Sequence, residues 1–303
     1  MSHISTTSLA SDRVKKVSRA RAFSPARLGI YFFLLSCVAF FLLPVWIMLM
    51  TSIKSMDEIS LGNVLAFANK PTIEPWITAW SGACTGLSCN GIHGGFINSL
   101  KITFFGVIFS VAIGALNGYA LSFWNAKGAK LLFGIMLTAA FIPYQIFIYP
   151  LVRVFSTVGL YNSLSGIVLV HTVFGMPIMT LLFRNYFASL PLALFNAARI
   201  DGAGFFMIFR KIMLPMSTPM IVVAVILQAT SIWNDFLFGL TFAGRENMPM
   251  TVLLNNIVGS TEGNQPYNIQ MAATLITTVV PMLIYLLSGR WFVRGIAAGA
   301  VKG

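Results

Sequence analysis

The chain has 303 residues, of which 57% are hydrophobic and only 9% charged, with 20 Lys and Arg against 8 Asp and Glu for a net charge of +12. Soluble domains carry about 25% charged residues, so this composition excludes a soluble globular enzyme and reads as a polytopic membrane protein. It also argues against a nucleic-acid partner, because the basic residues are divided among short loops and are not gathered on one soluble face.

Residues 1–27 contain Arg13, Lys15, Lys16, Arg19, Arg21 and Arg27 with little apolar periodicity. They read as a tail that is disordered or lies on the membrane surface. A helix needs about 20 apolar residues to cross the hydrocarbon core, and Leu28 to Met50 is the first charge-free run of that length. It is longer than the apolar stretch of a signal peptide, and no small-x-small site follows before Lys54, so it stays as an anchor. Cys37 lies inside it as a small apolar residue.

The longest loop follows, roughly Thr51 to Phe96, with Pro71, Pro75, Trp76 and Trp80. Tryptophan there suits a membrane interface. Cys84 and Cys89 flank Thr85-Gly86-Leu87-Ser88 in this loop, and an exported location leaves open either a disulfide or two free thiols. No His or carboxylate stands at ligand spacing to make them a metal site.

Five more charge-free runs follow: Ile102 to Ala126, Leu131 to Val152, Val154 to Phe183, Ile212 to Asn234 and Gly263 to Gly289. They are continuously apolar and do not alternate, which excludes a barrel and leaves helices as the only way to pair the backbone in lipid. The expectation is an all-α protein with six transmembrane helices. Pro44, Pro143, Pro150, Pro177, Pro219 and Pro281 are placed to kink or delimit them.

Six crossings put both termini on one side. Besides the tail, that side holds Lys127, Lys130, Arg184, Arg199, Arg210, Lys211, Arg290, Arg294 and Lys302, making 15 of the 20 basic residues. By the positive-inside rule it is the cytoplasm. On the other side Lys54, Lys70, Lys101, Arg153 and Arg245 balance Asp57, Glu58, Glu74, Glu246 and Glu262. The net charge is therefore topological, with attraction to anionic lipid headgroups as a secondary effect.

Between the fourth and fifth runs, Arg184 to Pro219 is too polar to cross and reads as two short helices. Ser189 is placed to cap the first, with Pro191 in its opening turn. Ala197 and Ala198 offer a small-residue surface for close approach by another protein, and Asp201-Gly202 forms a joint in which Asp201 caps the next helix. Phe205, Phe206, Phe209, Ile212 and Met213 fall on one helical face, Arg210 and Lys211 reach lipid phosphates or water, and Pro215 ends the element. Periodicity alone leaves open a plain interfacial connector.

No Gly-x-x-x-x-Gly-Lys-Ser/Thr phosphate loop exists, so energy has to come from elsewhere. His3, His93 and His171 are scattered and form no catalytic constellation. Asp235 is the one carboxylate embedded in a span, and such a residue faces a bundle interior or a wet path. With Trp233 and Asn234 it combines stacking and hydrogen bonding of the kind a sugar requires; a helix-end residue bonded to a neighbouring loop is the alternative. Asn117, Tyr144, Gln145 and Gln228 serve equally as path lining or as glue between helices.

One stretch has family-specific spacing: Asn196-Ala197-Ala198-Arg199-Ile200-Asp201-Gly202, then nine residues, then Ile212-Met213-Leu214-Pro215. It resembles the inner-membrane permease subunits of binding-protein-dependent ABC importers, whose signature runs Glu-Ala-Ala, three residues, Gly, nine residues, Ile-x-Leu-Pro. The resemblance implies a type I importer permease fold whose cytoplasmic coupling helix sits in a cleft of an ATP-hydrolysing subunit. The family's glutamate falls at Asn196, which leaves Arg199 and Asp201 as the charged contacts. Ile200-Asp201-Gly202-Ala203, Trp233-Asn234-Asp235-Phe236 and the ending Gly299-Ala300-Val301-Lys302-Gly303 resemble the second permease of maltose-type sugar importers. The segment holding Cys84 and Cys89 is similar to the glucose and mannose branch.

From this resemblance follow a tail 1–27, a first span and loop 28–93, a transmembrane core 94–289 and a tail 290–303. It implies a bacterial inner-membrane subunit that is not an enzyme and binds no cofactor, with ATP and magnesium held by partners. Those partners are a second, different permease, two ATP-binding subunits, an external solute-binding protein and the surrounding lipid. The cargo implied is a sugar, a monosaccharide such as glucose or mannose. A polyol, glycerol-phosphate or oligosaccharide is the alternative cargo, and a stand-alone secondary transporter or channel is the alternative of another class.

Overall fold

The computed structural model describes residues 25–86, 88–124, 127–259 and 266–300. The expectations for the tail before residue 25, for Glu262 and for residues 301–303 lie outside the described residues. The chain divides into two compact units, Met1–Ile47 and Met48–Gly303. The first contains most of α1 (Pro25–Ser52), whose apolar residues fall on all sides of the helix and whose Arg27–Ser52 stretch is long enough to cross a membrane.

In the second unit the helices are α2 (Met56–Ser60), α3 (Glu74–Ser81), α4 (His93–Phe123), α5 (Ala129–Ala140), α6 (Gln145–Thr157), α7 (Leu164–Ala188), α8 (Leu192–Ile200), α9 (Phe205–Ile208), α10 (Leu214–Met216), α11 (Thr218–Trp233), α12 (Leu237–Phe242), α13 (Met250–Gly259) and α14 (Tyr267–Ala300). A single π-helical turn, Phe209–Met213, joins α9 to α10.

Four helices are unbroken, apolar and long enough to span: α1, α4, α7 and α14. The third and fifth runs depart from the expectation of one straight helix each. The third bends by 108° between α5 and α6, and the fifth bends by 78° between Phe205–Met216 and α11. Counting each bent pair as one crossing gives six. The first break contains Pro143, which supplies no N–H and pushes the residue before it out of the helical region. The second falls between Pro215 and Pro219, where the Ser217 N–H still donates to the Met213 and Leu214 carbonyls. Pro44, Pro150, Pro177 and Pro281 lie inside continuous helices instead.

The centre of the unit is the packing of α4 on α7. Gly106, Ser110, Gly114 and Gly118 recur every four residues on one face of α4 and let the two backbones approach. A Cβ on Gly114 would lie 2.4 Å from the Met179 Cβ, and one on Gly118 would lie 2.6 Å from the Arg184 backbone nitrogen. Around this seam Ile102, Tyr119, Phe183, Phe187, Ile208 and Met213 form the main buried cluster.

A second cluster gathers Ala79, Ile92, Trp233, Met250, Ala272 and Ala273 at the other end of α4. Here Cys84 and Cys89 form a disulfide, and the loop they close is held by the Asn256 amide donating to the Thr85 carbonyl. Lys54 is buried nearby, its ammonium donating to the Asn63 carbonyl. Since α4 has 31 residues, this end lies about 46 Å from the end that meets α8.

Candidate functional site

Two features carry functional geometry: the joint around α8 and α9, and a cavity beside α11. At the joint, Ser189 does not cap α8. It ends α7, its hydroxyl donating to the Tyr186 carbonyl at 2.7 Å, while Pro191 takes the α8 cap position with no side-chain bond. Asp201 does not cap α9 either, because it closes α8 and Gly204 precedes α9.

What turns the chain is backbone geometry. The Ala203 N–H donates to the Ala198 carbonyl at 2.9 Å and the Gly202 N–H donates to the Arg199 carbonyl at 3.1 Å, with Gly202 at φ +77°. This is a Schellman closure, which needs a left-handed residue at the glycine position. Nothing lies within 4 Å of a Cβ placed there, so the glycine is required by φ and not by space.

Helix α8 buries Phe195 and Ala198 one turn apart and presents Asn196, Ala197, Arg199 and Ile200 outward. Ala198 is therefore not part of the small-residue surface the sequence suggested, because it packs into its own fold. The π turn shifts the register, so Ile208 and Met213, five residues apart, are the fully buried pair. Phe206, expected to share one face with Met213, is 70% exposed where Met213 is fully buried, and Ile200 is 85% exposed. Ile212 and Leu214 are half-buried and Pro215 is exposed as the chain turns toward α11.

The joint is fastened from beneath by Tyr119 of α4, which is 0% exposed. Its hydroxyl donates to the Phe205 carbonyl at 3.2 Å. Its ring lies 4.6 Å from Phe205, 5.2 Å from Phe209, 5.5 Å from Phe123, 6.0 Å from Phe187 and 6.4 Å from Phe195. Phe123 in turn stacks on Phe195 at 4.5 Å. One residue thus touches α7, α8, α9 and the π turn. Sequence reading missed it, because a Tyr in an apolar span carries no spacing signal.

The cavity, of about 720 Å³, opens among α5, α6, α7, α11 and α12. Tyr144, Phe147, Phe174 and Phe238 form an aromatic wall, and His171, Gln228, Ser231, Asn234 and Asp235 form a polar strip. Asp235 stands just beyond α11 and binds the first turn of α12 from outside its cap position, accepting from the Gly239 N–H at 3.0 Å and the Phe238 N–H at 3.4 Å. Its backbone carbonyl accepts from the Thr251 hydroxyl at 2.6 Å. Asp235 therefore combines the two roles the sequence left as alternatives, helix-end residue and cavity group.

Trp233 parts company with Asn234 and Asp235. It is buried in the second cluster, 5.7 Å from Phe96, with its indole N–H donating to the Thr277 carbonyl at 3.0 Å. Tyr144 and Gln228 line the cavity, whereas Asn117 and Gln145 do not. Among the described residues, no group of three or more His, Cys, Asp or Glu could hold a metal ion.

Comparison with known proteins bears on both features. Residues 106–298 match the model of the family described as binding-protein-dependent transport system inner membrane component. A probable ABC transporter permease protein of Pyrococcus horikoshii is 38% identical over 285 residues, covering 93% of this chain and 100% of that protein. The alpha-glucoside transport system permease protein of Rhizobium meliloti is 37% identical over 224 residues, covering 72% of this chain and 58% of that one. In fold, the chain is similar to a bacterial ABC transporter involved in the import of the acidic polysaccharide alginate, with a TM-score of 0.71 at 21% identity over 89% of this chain and 99% of that one. Since the family match spans the α8–α9 joint, the Tyr119 anchor and the cavity, this chain belongs to the inner-membrane permease components of binding-protein-dependent ABC importers, in which partner subunits hydrolyse the ATP.

Proposed function

We propose that the chain forms half of the translocation pathway of an ATP-driven importer for a neutral sugar. In this reading residues 94–289 are the transmembrane core and both termini are cytoplasmic. The chain pairs with a second, different permease, takes its power from two ATP-binding subunits and receives cargo from an external solute-binding protein.

The observation that carries the reading is the α8–α9 joint. Its outer face offers Asn196, Arg199, Ile200 and Phe206 to a partner, while Phe195 and Ala198 hold it to Tyr119 and the α4–α7 seam. A subunit that grips the outer face and closes on ATP therefore pushes on α4 and α7 through packed rings. Interiors that are close-packed transmit such displacement and do not absorb it. Differential affinity of the ATP-bound partners for one position of the joint is what shifts the permease between outward and inward states.

Support for a sugar comes from the alpha-glucoside relative and from the Trp233-Asn234-Asp235-Phe236 and carboxy-terminal resemblances. Among sugars, a monosaccharide such as glucose or mannose is the reading we favour over a phosphorylated polyol. Asp235 lines the cavity and, among the described residues, no Lys or Arg does, which disfavours an anionic cargo.

The test is uptake into vesicles by the complex reassembled from this chain and its partners, with glucose, mannose, an alpha-glucoside, a polyol and glycerol phosphate offered in turn. The expected result is ATP-dependent uptake of a neutral monosaccharide and none of glycerol phosphate. Preference for glycerol phosphate would overturn the neutral-sugar reading. Uptake by this chain alone, driven by an ion gradient, would overturn the importer reading.

A further inference from the structure

We infer that this chain contains its own sugar subsite, in the cavity between α11 and the aromatic wall, so that substrate contacts are not left to the partner permease alone. The inference rests on the importer reading and adds to it where in this chain the cargo binds and by which groups.

Polar groups collect at one end of α11. Gln228 and Ser231 lie three residues apart on one face of α11, and Asn234 and Asp235 continue the polar strip in the turn just beyond it. Apart from Thr218 and from Thr230, whose hydroxyl donates back to the Ile226 carbonyl, the rest of α11 is apolar. Polar groups in a membrane-embedded helix persist only where they find partners or line a wet path. Among the described residues, none hydrogen-bonds to the side chains of Ser231 or Asn234, both of which are exposed to the cavity. Gln228 uses one N–H, toward the His171 carbonyl at 3.4 Å, which leaves its other N–H and its oxygen for a ligand.

A gap separates His171 from Asp235. The imidazole Nε2 and the carboxylate Oδ2 are 3.8 Å apart, too far for a direct hydrogen bond. One ligand hydroxyl about 2.8 Å from each fits against both, donating to the carboxylate and meeting the ring nitrogen with its remaining capacity. Two of the roughly four acceptor positions of the Asp235 carboxylate are already taken by the Phe238 and Gly239 N–H groups. That anchoring fixes the carboxylate in place before a ligand arrives, which lowers the ordering cost of binding.

The opposite wall is aromatic. Tyr144 and Phe174 lie 4.7 Å and 5.0 Å from Phe238, and His171 lies 5.6 Å from it, so the aromatic surface is continuous. A pyranose has two apolar C–H faces and a rim of hydroxyls. Seated here it would lay one face on the wall and turn its rim to the polar strip, the division of labour expected of a mostly apolar pocket with a few placed polar groups.

The experiment uses the full reassembled complex in vesicles, measuring KM and maximal rate of uptake with the sugar it transports, alongside ATP hydrolysis. Asn234→Ala, Ser231→Ala and Phe174→Ala each raise KM roughly tenfold, the loss expected for one hydrogen bond or one stacking contact. ATP hydrolysis stays at the unmodified level, and Phe174→Tyr, which keeps the stacking face, restores KM. Removing the matching hydroxyl from the sugar abolishes the difference between Asn234→Ala or Ser231→Ala and the unmodified chain. Active uptake with KM unchanged in all three variants would overturn the subsite while leaving the importer reading intact. If the unmodified complex showed no ATP-dependent uptake of any sugar, both would fall.

Discussion

Tyr119 gives the sharpest test of how the coupling joint is fastened to the spans. Tyr119→Phe removes only the hydroxyl that donates to the Phe205 carbonyl. That carbonyl also accepts the Phe209 N–H, so it is not stranded, and the loss falls in the ordinary range of about 0.5–1.5 kcal/mol for one hydrogen bond. Tyr119→Ala is a different perturbation, because it empties a fully buried position ringed by Phe123, Phe187, Phe195, Phe205 and Phe209. Truncating a buried aromatic costs about 3–5 kcal/mol, and here the cost falls on the contact between α4 and the joint.

The two variants are compared in the assembled complex by thermal unfolding in detergent and by sugar imported per ATP hydrolysed in vesicles. Tyr119→Phe lowers stability slightly and keeps coupling near normal. Tyr119→Ala still inserts and still binds ATPase subunits through the intact outer face of α8, but ATP is consumed with little import. The reasoning is refuted if Tyr119→Ala matches the unmodified chain in both readouts, or if Tyr119→Phe is as damaging as Tyr119→Ala.

Gly202→Pro forces φ from +77° to about −65° and removes the N–H that donates to Arg199; membrane insertion persists while uptake is uncoupled from hydrolysis, and normal vesicle uptake would count against the joint. Asn196→Glu adds charge on the exposed face of α8 without touching the core, so co-purification with the ATPase subunit holds or strengthens, and its loss would show a partner built for the neutral residue. Gly118→Val drives a side chain into the Arg184 backbone at 2.6 Å and the Phe183 Cβ at 2.7 Å, so the α4–α7 seam opens at a cost of at least about 1–3 kcal/mol. Its control is Gly134→Val, where nothing lies within 4 Å, and equal unfolding temperatures for the pair would refute the close-packed seam.

The spans were legible because lipid tolerates few charges, and charge-free runs mark them directly. The bends were not, since Pro143 breaks its helix while Pro150, Pro177 and Pro281 sit inside theirs, and only tertiary context distinguishes them. The joint was found, but its caps were misassigned. Ser189 and Asp201 have capping chemistry, yet the turn is made by backbone bonds around Gly202, which side-chain signals do not reveal.

Adjacency misled the reading of Trp233. Trp233 is the last residue of α11 and Asp235 lies beyond its end, so neighbours in sequence part, Trp233 into the second cluster and Asp235 into the cavity. Ser231, three residues after Gln228 on the same face of α11, went unnoticed because a serine in an apolar run carries no signal of its own. Ala198 was readable as an inner position from its place one turn after Phe195.

The central claim is that the outer face of α8 is gripped by an ATP-hydrolysing subunit. Single cysteines at Ile200 and Ala198, exposed and buried in this chain respectively, can be probed for cross-linking to that subunit in a complex that transports. The account predicts a cross-link from Ile200→Cys whose yield changes with nucleotide, and none from Ala198→Cys. A cross-link from Ala198→Cys alone, or none from Ile200→Cys in an active complex, would contradict it.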